Sequence, residues 1–347
     1  MRISTNMFHS QGISSIQTHQ KSVLDTQLQL STGKRVNGPG DDPVATSQIH
    51  ALKRTMNTID QYARNGEYAK SQLVLEETAI TDTIGSLQRA RELAIQMSNG
   101  TYTAADREAT AAEVDQIIQQ VRNMMNYRNS EGELIFAGSS VNALQAFVED
   151  VNNPGYYAYI GGVNSDSSGA ETTPQDSLAN YGSRFVQIGF DDDNLLAPDD
   201  AGDPSRVRIT DNGNRVFSIP GGGTLPYTYN TTGGGTPEAN VLNVLVEFKN
   251  ALLAGNPPSD EVIGDMDSAL TNLSQIRAEI GGRQNRIQSQ YDAGESFKLA
   301  LEERRMTLED MDLVSGVTEL TKSQNALQMA QQVFSKVQGM SLFNYLR

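Results

Sequence analysis

The stretch "LSTGKRVNGPGDDPVATSQIHALK", Leu30 to Lys53, decides how this chain is built. It lies between two runs with helical apolar spacing and carries Gly33, Gly38, Pro39 and Gly40. Two readings compete: a glycine-rich loop that cradles a phosphate, or a turn that stops one helix and starts the next. "GKRVNGPG" lacks the Gly-Lys-Ser/Thr ending of a phosphate-binding loop, and no apolar strand precedes it. The turn reading gives each residue a role. Ser31-Thr32-Gly33 supplies a helix stop, and Asp42 before Pro43 supplies an N-cap followed by proline in the first helical position. Asp41 and Asp42 are read as turn and cap residues rather than a carboxylate dyad. The inter-helix turn is therefore assigned to Gly33, Gly38, Asp41, Asp42 and Pro43.

On the N-terminal side, Ile13, Ile16, Val23, Leu24, Leu28 and Leu30 recur among Gln, Ser and Thr, the spacing of an amphipathic helix with few charges. On the other side no proline interrupts the chain between Pro43 and Asn99-Gly100. A continuous helix there would be about 80 Å long at 1.5 Å per residue. Ile49, Leu52, Met56 and Ile59 follow helical steps of three and four, and Leu73, Ile80 and Leu87 recur every seven residues, the interval that keeps a seam against a partner helix. A long helix needs such a partner to persist in water. Thr103 and Asp106 have capping-box spacing, and the helix they open, with Val114, Ile117, Ile118, Val121 and Met125, is expected to reach about Asn129.

Residues 141 to 260 change character. Short alternating runs, "YYAYIGG", "RFVQIGF", "RVRIT" and "RVFSIP", read as strands. "RVRITDNGNRVFSI" predicts a hairpin turning at Asn212-Gly213. "GGGTLPYTYNTTGGGTP" reads as loop, and a short helix is expected over Ala239 to Ala254. From Asp260 helical spacing resumes: Met266, Leu273, Ile280, Ile287, Gly294, Leu301 and Leu308 share one heptad position, while Leu313, Leu320, Leu327 and Phe334 share another after a slip near "DLVSG". The fold class is thus α+β, with N- and C-terminal helices forming a long coiled-coil-like bundle and a β-rich domain inserted between them. Its seam is assigned to Ile49, Leu52, Met56, Ile59, Leu273, Ile280, Ile287, Leu301 and Leu308. The expected divisions are terminal helices at 1–42 and 313–347, a helical bundle at 43–140 and 262–312, and an insertion at 141–261.

Charge and composition exclude several classes. The net charge of -15 opposes nucleic-acid binding. Residues 141 to 265 hold 17 Asp and Glu against 5 Lys and Arg, so that segment should face solvent. Cysteine is absent, which removes disulfides, thiolate metal ligands and thiol nucleophiles. His9, His19 and His50 are the only histidines and lack metal-ligand spacing. No apolar run is long enough to span a membrane, and the N-terminus lacks the apolar core of a secretory signal peptide. "DDDNLLAPDDAGD", Asp191 to Asp203, is acidic enough to attract calcium but lacks EF-hand spacing. The sequons at Asn230 and Asn272 carry little weight. No residue set supports catalysis, so no enzyme, cofactor or metal is expected.

The helical ends carry a resemblance. "LSTGKRVNGPGDDPVATSQI" resembles the N-terminal signature of bacterial flagellins and their relatives, "IGSLQRARELAIQMSNGTYTAADREA" is similar to their core helix and following turn, and "TELTKSQNALQMAQQVFSKVQGMSLFNYL" is similar to their C-terminal helix. Within that family, "DDPV", "LIFAGS" and "SLFNYL" resemble the subunits that join hook to filament. The resemblance covers roughly residues 1 to 140 and 262 to 347, leaving the acidic middle unmatched.

It implies a structural subunit of the bacterial flagellum, exported without a cleaved signal peptide by the flagellar type III apparatus and located outside the cell. The implied partners are an export chaperone, the preceding hook-associated junction protein, flagellin, and neighbouring copies in a helical layer. Its implied assembly interface pairs the N-terminal helix around Ile13, Ile16, Val23 and Leu28 with the C-terminal helix around Leu320, Leu327, Phe334, Leu342 and Phe343. Alternative readings are the filament subunit itself, or a calcium-dependent adhesin module in the acidic insertion.

Overall fold

The computed structural model describes residues 5–138, 144–150, 153–159, 183–190, 205–223 and 239–339. In chain order its elements are α1 (Thr5–Thr32), α2 (Pro43–Met97), α3 (Ala104–Met125), β1 (Phe147–Glu149), β2 (Tyr157–Tyr159), β3 (Phe185–Gln187), β4 (Arg206–Arg208), α4 (Gly213–Phe217), α5 (Val241–Leu253), α6 (Asp260–Glu309) and α7 (Leu313–Gly339). The chain forms two compact units, Met1–Ile59 with Glu295–Arg347, and Asp60–Gly294, so the division falls inside α2 and α6.

In the Asp60–Gly294 unit, α2 and α6 run antiparallel. A Cβ on Gly66 would lie 3.2 Å from Ile287, Glu77 reaches Arg277 and Gln284, and Arg91 pairs with Asp267. The heptad positions Leu73, Ile80, Leu87, Met266, Leu273 and Ile280 are completely buried. Each such side chain stabilises by about 1.5 to 3 kcal/mol. Helix α3 opens with the capping box, Thr103 and Asp106 each bonding the other's backbone amide. It buries Val114, Val121 and Met125 in the same core. Arg107 is also buried and donates to the carbonyls of Met97 and Gly255, which ties the end of α2 to the end of α5.

The insertion's described strands are short. β1 pairs antiparallel with β2, Phe147 opposite Tyr159, and β3 with β4, Phe185 opposite Arg208. Two-stranded sheets are marginal alone, and aromatic packing supplies support: Phe147 lies 5.2 Å from Tyr159 and 5.8 Å from Phe217, which in turn lies 4.8 Å from Phe136.

The expected hairpin at Asn212-Gly213 does not form. β4 ends at Arg208, and the first half of "RVFSIP", Arg215 to Phe217, is not strand but the end of the short helix α4, for which Asn212 is the N-cap, its side chain accepting from the Asn214 amide at 2.8 Å. A type I′ turn needs positive φ at both central residues, whereas Asn212 has φ -75°. Gly213 is required for another reason. A Cβ there would sit 2.7 Å from the Phe147 ring and 2.9 Å from the Phe136 carbonyl oxygen, so tertiary crowding, not turn chemistry, selects glycine.

Two other boundaries differ in detail. α3 stops at Met125, short of Asn129, because the Asn126 side chain leaves the helix to clasp β1, accepting from the amides of Ala146 and Phe147 and donating to the Phe147 carbonyl. α5 begins at Val241 behind Asn240, whose side chain caps the Asn243 amide. The Asn272 amide donates to the carbonyls of Arg215, Val216 and Ser218, giving that sequon residue a structural role. The acidic run Asp191 to Asp203, Asn230, most of the glycine-rich loop, Leu342 and Phe343 lie outside the described residues.

Candidate assembly surfaces

The turn that opened the sequence reading is built from its own side chains. Gly33 takes φ +70°, which ends α1 at no steric cost. The Asp41 carboxylate accepts from the amides of Asn37 and Gly38, so two donors that an anion would need are committed within the turn. Asp42 accepts from the Ala45 amide at 3.0 Å, and Pro43 is the first residue of α2. That amide is the main reason the Asp42 carboxyl titrates below its ordinary range, with Arg35 assisting.

The turn is fastened to the α6–α7 junction. The Arg35 amide donates to the Glu309 carbonyl at 2.8 Å, and the Met311 amide donates to the Gly33 carbonyl at 2.9 Å. Val36, Ala45 and Ile49 form a small core with Leu308. At its edge the buried Glu309 carboxylate receives Lys34 at 2.7 Å, Lys53 at 3.1 Å and Arg305 at 2.6 Å. Burial pushes this carboxyl up, but bonds from Lys34, Arg305 and Lys53 more than offset it, leaving it at about 2.

α1 and α7 pair antiparallel. Gly12 meets Phe334 at one end, and Gly316 meets Leu30 at the other. Along α1, Gly12, Ile16, His19, Val23, Thr26 and Leu30 are buried or half-buried. Along α7 the same holds for Gly316, Leu320, Ser323, Leu327, Ala330 and Phe334. Both sets follow steps of four and three, the coiled-coil repeat. Carried between the two fixed ends, the register sets Ile16 against Ala330, His19 against Leu327, Val23 against Ser323 and Thr26 against Leu320. Apart from His19 against Leu327, each layer sets a small residue on one helix against a larger one on the other, which lets two thin helices approach closely. Leu313 falls outside this seam: it is the first residue of α7, behind the Asp312 side chain that accepts from the Val314 amide, and it is exposed.

The residues expected to assemble therefore divide. Ile16, Val23, Leu320, Leu327 and Phe334 lie on the α1/α7 seam. Ile13 and Leu28 are 48% and 53% exposed on the outer side of α1, beside Met7 and Leu24, while Val314, Val317, Met329 and Val333 are exposed on α7. Between the helices runs an open groove of about 590 Å³, lined by Gly12, Ser15, His19, Met329, Val333 and Phe334. Of the expected bundle seam, Ile49, Ile59, Leu273, Ile280 and Ile287 are buried, and Leu52, Met56, Leu301 and Leu308 are half-buried. Sequence spacing alone did not single out Glu309, Gly12 or Gly316.

A pair of terminal helices fastened back by a capped turn is an arrangement with known counterparts. The bacterial flagellin N-terminal helical region matches residues 3–141, and the bacterial flagellin C-terminal helical region matches residues 263–346. The chain belongs to the flagellin family. It is 27% identical to Flagellar hook-associated protein 3 of Escherichia coli (strain K12) over 99% of this chain and 99% of that protein. It is also 27% identical to the protein of that name from Salmonella typhimurium (strain LT2), over the full length of both. A flagellin of Clostridium tyrobutyricum is 27% identical over 42% of this chain and 39% of its own length. Among solved structures, a putative flagellar hook-associated protein of Vibrio parahaemolyticus matches with a TM-score of 0.57 and 21% identity, covering 77% of this chain and 99% of that one. Flagellar hook-associated protein 3 of Legionella pneumophila matches with a TM-score of 0.56 and 18% identity, covering 75% and 98%. These two share its fold.

Proposed function

We propose that this chain is a structural subunit of the bacterial flagellum that joins the hook to the filament. The observation that carries the reading is end-to-end similarity to two proteins named Flagellar hook-associated protein 3, insertion included. The flagellin of Clostridium tyrobutyricum, by contrast, matches over less than half of either chain.

In this reading the subunit acts through its terminal helices. The α1/α7 seam holds the two ends together, and the apolar residues left outside it, Ile13, Leu28, Val317 and Met329 among them, are buried when neighbouring copies dock. Repetition of one head-to-tail contact builds a helical layer rather than a closed dimer. One end of that layer meets the preceding hook-associated junction protein and the other receives flagellin. The subunit is exported by the flagellar type III apparatus with a dedicated chaperone, and it works outside the cell. Absence of cysteine suits a chain that crosses in an extended state and folds where it lands. No catalytic step enters this role.

Electron microscopy of the purified protein, with and without isolated hooks bearing the preceding junction protein, tests the reading. A short, self-limited layer at hook ends is the expected result. Long filaments would make the protein a filament subunit, and no attachment would remove the junction role.

A further inference from the structure

The Asp60–Gly294 unit contains a buried group of charges that assembly does not use. Asp211, in the connection from β4 to α4, is completely buried. Its Oδ2 receives Arg283 of α6 at 2.6 Å, and its Oδ1 faces Arg208 of β4 at 2.8 Å and Arg215 of α4 at 3.4 Å. Glu279 of α6 completes the group, paired with Arg215 and 3.9 Å from Arg208. Against this network stands Glu76 of α2, also completely buried, and neither of its carboxyl oxygens has a donor within hydrogen-bond distance.

An ionised carboxylate in that position would be a desolvated anion beside the Asp211 anion, with no hydrogen bond of its own. Such a state is among the costliest in a protein interior. As an acid, the same side chain gains a donor, and the acceptor in reach is the Asp211 carboxylate. The proton's place is decided by the arginines. Three guanidiniums address Asp211 and keep it ionised, whereas none bonds Glu76.

We infer that Glu76 is carried as a neutral carboxylic acid whose O–H donates to Asp211, forming a proton-dependent clasp between α2 and the β4–α4 connection. Burial, followed by the Asp211 charge, pushes the Glu76 carboxyl well above its ordinary value of 4.5. For Asp211, burial acts upward too, but Arg283 and Arg208 outweigh it and hold the group at about 2. The two titrations therefore fall in separate windows. Above pH 4.5 the unfolded chain has released the Glu76 proton while the folded chain keeps it, so folding binds a proton and stability falls as pH rises, until the folded group itself ionises. Asp211 contributes in the opposite sense, between its ordinary value of 3.8 and about 2.

The full-length protein is tested with glutamate labelled at Cδ and with amide exchange in the buried helix α5, in wild type and Glu76→Gln. The amide side chain keeps a donor toward Asp211 and cannot ionise. About one pH unit above 4.5, where ordinary glutamates are about nine-tenths ionised, one wild-type Cδ resonance is expected in the acid form and absent from the variant. The wild-type folded-to-unfolded ratio, relative to Glu76→Gln, should drop about tenfold per pH unit as pH rises above the ordinary glutamate value of 4.5, levelling only where the folded group ionises. If Glu76→Gln fails to fold, Glu76→Leu replaces it as the non-ionising reference. The inference is overturned if the folded wild type shows no glutamate Cδ that keeps its acid form about one pH unit above 4.5, or if wild type and variant keep parallel pH profiles.

Discussion

Glu309 shows how much one side chain can depend on distant sequence. Its carboxylate is buried, and it holds Lys34 from the turn after α1, Lys53 from α2 and Arg305 from its own helix. Removing it leaves three cations facing one another without a counterion. Lys34 and Lys53 are both more than 40% exposed, which screens the interaction, so Glu309→Gln should cost about 1 to 2 kcal/mol. Because the folded carboxyl sits near 2, below its ordinary 4.5, this contribution is complete above pH 4.5 and is lost as pH falls toward about 2. Exchange at the Arg35 and Met311 amides, which close the turn on the α6–α7 junction, reads the local opening. Protection at neutral pH should fall about 5- to 30-fold in the variant, and the difference from wild type should close in acid. Equal protection at neutral pH would mean that the backbone bonds alone hold the turn. The turn residues themselves were legible from sequence, since Gly33, Asp42 and Pro43 act on their nearest neighbours. Glu309 was not, because Lys34 lies 275 positions away.

At the scale of elements, periodicity revealed the long helices and the faces they bury, yet it missed where small residues set the approach. The α1/α7 pair illustrates this. Heptad reading picked out Leu320, Leu327 and Phe334, while the close contact between the two helices occurs at Gly12, Gly316 being tight against Met311 of the α6–α7 junction, where a Cβ would lie 3.5 Å from Leu30. A Cβ on Gly12 would lie 2.6 Å from the Phe334 ring, and one on Gly316 would lie 2.7 Å from Met311. Glycine within a helix costs about 1 kcal/mol relative to alanine, so Gly12→Ala would stabilise α1 if space allowed. Overpacking costs about 1 to 3 kcal/mol, and with a ring at that distance the clash wins. Gly12→Ala should therefore lower the helicity and thermal midpoint of the α1/α7 pair by the equivalent of about 1 kcal/mol, whereas in a Phe334→Ala background the same change should stabilise. A double-mutant cycle followed by circular dichroism checks the sign reversal; additive effects would show that the helices do not meet in this register. The hairpin expected at Asn212-Gly213 failed for a related reason. Asn-Gly is a local turn signal, but Phe136 and Phe147 converge on Gly213 from elsewhere in the chain, and local chemistry cannot announce a tertiary neighbour.

Across the whole molecule, the buried core and the residues proposed for assembly are different residues. The Asp60–Gly294 unit buries its own core, including Leu73, Ile80, Leu87, Leu245, Phe248 and Leu273. The α1/α7 pair contributes 28 and 27 residues of helix around a seam with small side chains in most layers. Leu327 sits half-buried in that seam, opposite His19 in the register, where an aspartate would lose the apolar burial and desolvate a charge. A penalty of about 2 to 4 kcal/mol is large for so thin a pair, and no residue of the other unit's core is altered. Leu327→Asp should therefore abolish addition to hook ends while the Asp60–Gly294 unit stays folded, seen as unchanged amide exchange in α5 and an unchanged protease-resistant fragment. Normal incorporation of the variant would mean that the outer stripe through Ile13, Leu28 and Met329 drives docking without the seam. Loss of protection in α5 would mean instead that the terminal helices stabilise the rest of the chain, and that assembly and folding are one process in this protein.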